Sequence, residues 1–226
     1  MRILYLIPAR GGSKGLPRKN IKKLNGIPLI HYSIDFARKF TDDSNICVST
    51  DDNEIIKCVE KFNLKINFVR PKNLSSDIAT THDVMIHAIN YYESKEIYYD
   101  LIVLLQPTSP FRRVEDLKNM IKCWKKKIDL IVSVKEPHDS PYFNIYEENS
   151  DGYLVKSKES EFSRRQDVPK VYALNGSLYL FNVKSLKSNN LKVIKKYFID
   201  DPIYSIDIDT PFDWMLCETV IKNNLF

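Results

Sequence analysis

The sequence predicts an α/β fold: a mostly parallel central sheet covered by helices on both sides. Three observations carry this. Short apolar runs of strand length recur from the N-terminus onward. Stretches with apolar residues at helical spacing separate them, and such alternation favours parallel strands joined by crossover helices. The most apolar run, Leu101-Ile102-Val103-Leu104-Leu105, reads as a central strand buried on both faces.

The elements follow in order. Ile3 to Ile7 is the first strand, and Pro8 ends it because proline has no N–H to donate. Ile27 to Ala37 has helical spacing with Pro28 near its first turn. Ile46 to Thr50 is a second strand. Asp51-Asp52-Asn53 supplies a cap for a helix whose face carries Ile55, Ile56, Val59 and Phe62. Ile66 to Val69 reads as a third strand, His82 to Glu93 as a helix, Val114 to Lys126 as another, and Leu130 to Val134 as a strand. The alternation breaks near Lys135. Tyr142–Tyr146 and Tyr153–Lys156, around Gly152, read as a hairpin, so 136–165 is expected to project as an insertion from a single domain spanning 1–226. Ser177 to Phe181 and Tyr204 to Ile208 read as strands, and Phe212 to Asn223 as a closing helix.

Composition narrows the function classes. The 226 residues suffice for one large domain, with 43% hydrophobic and 28% charged residues, as in ordinary globular chains. A net charge of +5 suits a small anionic substrate. No basic stripe with interleaved aromatics points to nucleic acid. Four cysteines lie far apart without a C-x-x-C pair, as in a reducing compartment. No run reaches the length of a membrane span, so a cytoplasmic protein without a membrane partner is expected.

The densest chemical signal follows the first strand. Arg10, Gly11, Gly12, Ser13, Lys14, Gly15, Arg18 and Lys19 combine glycines with cations, and four of the chain's 6 glycines fall at or before Gly26. Glycine permits close backbone approach, so successive amides can form an anion nest, and the cations add full charges. Neither G-x-x-x-x-G-K-[ST] nor G-x-G-x-x-G is present. The rival reading is a basic surface loop. Asp207 and Asp209, two apart in a strand-like run, would face one side and could share a hard cation such as Mg²⁺; equally, they could be solvated acids at a strand end. Gln106 follows the central strand at its carboxyl end, where open α/β sheets bind ligands, and its amide both donates and accepts. Asn175-Gly176 could be a tight turn only. Ser13 lacks a His/Asp partner in motif, which argues against a serine nucleophile. His31, His82, His87 and His138 form no ligand pattern.

Pro8-Ala9-Arg10-Gly11-Gly12-Ser13-Lys14-Gly15-Leu16-Pro17-Arg18-Lys19-Asn20 resembles the signature loop of the acylneuraminate cytidylyltransferases (CMP-sialic acid synthetases). The likeness continues in Leu105 to Pro110, Arg164-Arg165-Gln166, Asn175-Gly176 and Ser205 to Thr210. It implies a Rossmann-like nucleotidyltransferase fold and a CTP-dependent transfer without a covalent enzyme intermediate. On that resemblance, Ala9, Arg10, Gly11, Gly12, Ser13, Lys14, Lys19, Asn20, Arg70, Ala79 and Thr81 bind the nucleotide, with Arg10, Ser13, Lys14 and the Gly11-Gly12 amides on the triphosphate and Lys19 neutralising its charge. Asp207 and Asp209 bind Mg²⁺, and with Arg10 and Lys19 form the catalytic group. Gln106, Arg165, Gln166, Asn175 and Tyr179 face an acidic nine-carbon sugar.

The resemblance also implies a homodimer built on the hairpin insertion. An arginine often stands two residues before the Asn-Gly pair in that family; here the position is Ala173. The expected acceptor is N-acetylneuraminic acid, ahead of legionaminic acid, with pseudaminic or another ulosonic acid as alternatives. A nucleotide sensor is a rival class, against which the intact Asp207 and Asp209 argue.

Overall fold

The computed structural model describes residues 1–12, 15–159, 161 and 164–226, with Arg165 described by its backbone alone. In chain order the elements are β1 (Ile3–Pro8), β2 (Lys23–Leu24), β3 (Ile27–Pro28), α1 (Leu29–Arg38), β4 (Ile46–Ser49), α2 (Asn53–Glu60), α3 (Thr81–Glu93) and β5 (Leu101–Leu104). There follow α4 (Val114–Cys123), β6 (Leu130–Lys135), β7 (Tyr146–Glu148), β8 (Leu154–Lys156), β9 (Ala173–Asn182), α5 (Val183–Lys187), β10 (Ile194–Phe198) and α6 (Pro211–Lys222).

Six strands form one sheet in the order β10-β6-β9-β5-β1-β4. β1 runs parallel to β4 and β5, and β6 parallel to β10, while β9 runs antiparallel to β5 and β6 between them. The apolar runs are buried on both sides, as alternating side chains require. Tyr5 and Ile7 join Val103, Ile30, Ile34, Val59, Leu117 and Met120 on the α1, α2 and α4 face. Leu4, Leu6, Ile102 and Leu104 join Met85, Ala88, Ile89 and Leu186 on the α3 and α5 face. A third cluster seats α6 through Trp214, Cys217 and Val220 on Leu24, Leu29 and Phe111.

Local signals fix the helix starts. Asp52 accepts from the Glu54 and Ile55 amides at 2.7 and 3.1 Å, capping α2. Thr80 with Asp83, and Thr210 with Asp213, form reciprocal capping boxes at α3 and α6.

The structure departs from the sequence reading in several places. Ile66–Val69 makes only one bridge, Thr50 to Val69, at the outer edge beyond β4. Ile27-Pro28 pairs with β2 instead of opening the helix. α4 stops at Cys123 because Trp124 turns extended. Tyr204–Ile208 forms no strand: Asp201 caps a 3₁₀ turn at Pro202–Ser205, and the chain after it runs unpaired except for Ile208 N–H to the Thr108 carbonyl at 2.8 Å. β7 begins only at Tyr146, because the Ser140 carbonyl draws in the amides of Phe143, Asn144 and Ile145 as a turn. β10, unforeseen, is an edge strand whose lysines hide its character. Among the described residues no helix is long and apolar enough to cross a membrane.

Candidate active site

The site lies beyond the carboxyl ends of β1, β4 and β5. A cleft of about 430 Å³ opens there. Arg10, Gly15, Lys19 and Asn20 line it from the loop after β1, Arg70, Ala79 and Thr81 from the segment before α3, and Gln106 and Asp209 close it. Lys19 is almost wholly buried; its Nζ donates to the Ile208 carbonyl and lies 3.0 Å from Asp209 Oδ1. Asn20 Nδ2 donates to the Arg10 carbonyl at 3.0 Å, fixing the loop. The Arg10 guanidinium pairs with Asp77 at 2.9 Å. Arg70 is buried with Nε 3.0 Å from Ser49 Oγ, and burial lowers its pKa to about 10.

A second cleft of about 580 Å³ adjoins the first. Asn175, Gly176, Tyr179, Lys135 and Asp207 line it, and Gln106 lines both clefts. An irregularity in the β6–β9 ladder builds its wall: Val132 faces Tyr179 and Val134 faces Leu174, so the run from Asn175 to Leu178 opposes Ser133 alone. Ser133 Oγ bonds Asn175 Oδ1 at 2.5 Å, and Asn175 Nδ2 donates to Ser205 Oγ at 3.0 Å. Gly176 has φ +75°, and an added Cβ would lie 3.3 Å from Asp207 Oδ2 and 3.4 Å from Gln106 Oε1. Tyr179 is half-buried; burial and then the Asp207 charge raise its pKa.

Two further residues organise the divide between the clefts. Arg112, buried, donates to the Gln106 carbonyl at 2.6 Å, the Ser177 carbonyl at 2.9 Å and Ser33 Oγ at 3.1 Å. Burial lowers its pKa to about 9, and the Asp207 charge opposes that shift. Gly15 packs so closely that a Cβ would stand 2.3 Å from the Asp209 carbonyl oxygen. Arg112 does not stand out from sequence as a site residue, although it lies six residues past Gln106; Gly15 belongs to the glycine-rich basic loop singled out there.

The other expected residues distribute as follows. Ala9 is buried in the core, with its amide on the Ser49 carbonyl at 2.9 Å. The Gly11 amide donates to Asp51 Oδ1 at 3.2 Å, and Gly11 lines a small neighbouring depression, outside the main cleft. Gly12 is exposed with open space around it. Gln166 lines a separate depression with His138 and Ser140. Ser13, Lys14 and the Arg165 side chain lie outside the described residues. His82 is occupied at the Leu186 carbonyl, 3.0 Å away.

Asp207 and Asp209 do not stand on a strand, but Ile208 between them is fully buried, which leaves both acids toward the clefts. They line different clefts, Asp209 the first and Asp207 the second, so the expected shared face is not seen as such; as oxygen donors they are of the type Mg²⁺ accepts. Among the described residues no group of three or more His, Cys, Asp or Glu forms a fuller metal centre.

A cation-lined cleft beside a second cleft, at the strand ends of an α/β sheet, is where such folds bind ligands, and it suits an anionic one next to a second molecule. A family model described as cytidylyltransferase matches residues 4–213. The post-translational flagellin modification protein B of Campylobacter coli is 36% identical over 97% of this chain and 95% of its own length. The CMP-N,N'-diacetyllegionaminic acid synthase of Legionella pneumophila is 33% identical over 99% of this chain and 98% of its own. The solved structure of a CMP:2-keto-3-deoxy-manno-octonic acid synthetase complexed with CTP superposes with a TM-score of 0.73 at 16% identity, covering 99% and 100% of the two chains. The chain belongs to the cytidylyltransferase family, in its sialic-acid-type branch, and is a CTP-dependent nucleotidyltransferase.

Proposed function

We propose that the protein transfers the cytidylyl group of CTP to the anomeric hydroxyl of a nine-carbon 2-keto acid sugar, releasing pyrophosphate. The observation that carries this reading is the meeting of two clefts at Gln106, with Asp209 lining the first and Asp207 the second. CTP takes the first cleft, with its triphosphate toward Arg10 and Lys19 and its nucleoside toward Arg70, Ala79 and Thr81. The sugar takes the second, against Gln106, Asn175 and Tyr179. One bond forms between the sugar oxygen and the α-phosphorus, the bond from that phosphorus to the pyrophosphate oxygen breaks, and the hydroxyl proton departs to solvent. Positioning and charge neutralisation suffice for such a transfer.

Asp207 and Asp209 would hold Mg²⁺, which would polarise the α-phosphate. Lys19 holds Asp209 in place and offsets charge on the phosphates. Arg112 fixes the Gln106 backbone between the substrates.

For the acceptor, the sequence ranks N-acetylneuraminic acid first. We favour N,N'-diacetyllegionaminic acid, for which the Legionella relative is named. Leu174 and Leu216 line the second cleft and are 60% and 41% exposed, so they offer apolar surface suited to a deoxy carbon. We also propose that the β7–β8 hairpin joins two copies of the chain. The four free cysteines suit a cytoplasmic enzyme.

The test is pyrophosphate release across four nucleotides and a panel of acid sugars, compared by kcat/KM. CTP with a nine-carbon acid should be best, and the diacetylated deoxy sugar should exceed N-acetylneuraminic acid. Preference for an eight-carbon ulosonic acid would overturn the substrate class.

A further inference from the structure

We infer that Lys135 receives the carboxylate of the acceptor sugar and thereby selects acid sugars over neutral ones; this rests on the function proposed above. Lys135 ends β6 and is the only lysine or arginine among the described residues lining the second cleft. Side chains alternate along a strand, so Lys135 shares a face with Ser133, whose hydroxyl holds Asn175 in the cleft wall. Val134 between them turns to the opposite face and packs in the core. Lys135 is exposed and makes no ion pair among the described residues.

The electrostatics of the cleft call for such a group. Its two acids, Asp207 and Asp213, would repel an entering carboxylate. Asp213 is engaged by the amides of Asp209 and Thr210 at 3.1 and 2.7 Å, and Asp207 by Ser109 Oγ at 3.4 Å. Arg112 and Lys19 act on these acids from outside the lining, and Lys135 is the cation inside the cleft.

The strand register fixes the neighbour of Lys135. Lys135 is paired across the ladder with Ala173, the position where the family resemblance leads one to expect arginine. Side chains directly opposite in an antiparallel pair have Cβ atoms about 5 Å apart. A lysine at 135 therefore reaches the volume that an arginine at 173 would reach.

The experiment measures steady-state kinetics of the full chain with CTP and its best acid sugar, and with the carboxamide analogue of that sugar. Lys135→Ala should raise the sugar KM at least about tenfold, as for loss of a charge-assisted contact, with the KM for CTP unchanged. Lys135→Arg should retain most activity. Adding Ala173→Arg to Lys135→Ala should restore sugar binding. On the carboxamide, the wild type and Lys135→Ala should perform alike. A wild-type sugar KM in Lys135→Ala, or an equal loss on the acid and the carboxamide, overturns the role of Lys135 alone. A wild-type protein inactive with every acid sugar overturns the proposed function, and this inference with it.

Discussion

Lys19 Nζ stands 3.0 Å from Asp209 Oδ1 and also donates to the backbone of Ile208, so one buried lysine ties the basic loop to the acidic segment. Gly15 abuts the same segment at the Asp209 carbonyl. Substrate therefore meets a cation and a carboxylate already fixed in relation to each other, which is the condition for electrostatic preorganisation.

Asp207→Asn and Asp209→Asn should each lower kcat by at least ~10², the scale expected when a charge-stabilising partner of phosphoryl transfer is lost. Asp207 is partly open to solvent and makes no ion pair among the described residues, so Asp207→Asn should change the melting temperature little, whereas Asp209→Asn also removes the partner of buried Lys19 and should lower it. Full turnover in both variants, or in excess chelator, would remove the metal assignment.

Gly15→Ala and Gly12→Ala form a matched pair. A Cβ at Gly15 meets the Asp209 carbonyl oxygen at 2.3 Å, whereas nothing lies within 4 Å of one at Gly12. The first should cost at least ~10-fold in kcat by shifting Asp209, and the second should be silent. Equal activities would show that the contact is irrelevant to turnover.

Stability should fall in mild acid. Burial holds the pKa values of both His31 and His87 below the ordinary 6.5; the Cys58 carbonyl partly opposes this for His31, and the Arg70 charge adds to it for His87. Between those lowered values and 6.5 the unfolded chain binds more protons than the folded one. The stability is thus fully present above 6.5 and is lost as pH drops through that window. Melting temperature should decline as pH falls below 6.5. His87→Leu should flatten the decline. It should not lower stability at neutral pH, because His87 Nδ1 is buried without a hydrogen-bond partner among the described residues, and such an orphan costs ~1–3 kcal/mol. An unchanged slope would exclude His87 as a source.

The β7–β8 hairpin stands apart from the main sheet, with Leu154 and Tyr153 72% and 71% exposed. Two strands alone are marginal in water. Light scattering at micromolar concentration should report a dimer, and Leu154→Glu should shift it toward monomer. A monomeric, fully active wild type would refute the assembly.

Much of this was legible in sequence wherever burial follows local pattern. The runs at Ile3, Ile46, Leu101 and Leu130 are strands because both faces are covered, and α2, α3 and α6 begin at their polar caps. β10 was hidden because an edge strand keeps its lysines, and the reversed direction of β9 depends on partners far away in the chain. In the site, Arg10, Lys19, Asn20, Arg70, Ala79, Thr81 and Asp209 line one cleft, and Asn175, Tyr179 and Asp207 the other, with Gln106 between. Ala9 and Gly11 stand outside because their amides are used within the fold. Arg112 escaped notice because a buried arginine is defined by the carbonyls it meets, and these come from distant strands.

The tie between Lys19 and Asp209 joins residues 190 positions apart. During synthesis the cations of the nucleotide cleft, Arg10, Lys19 and Arg70, are made well before the segment that carries Asp207 and Asp209. The carboxylates arrive last. A chain ended before Asp207 would thus carry the cations of the nucleotide cleft without either carboxylate proposed for the metal.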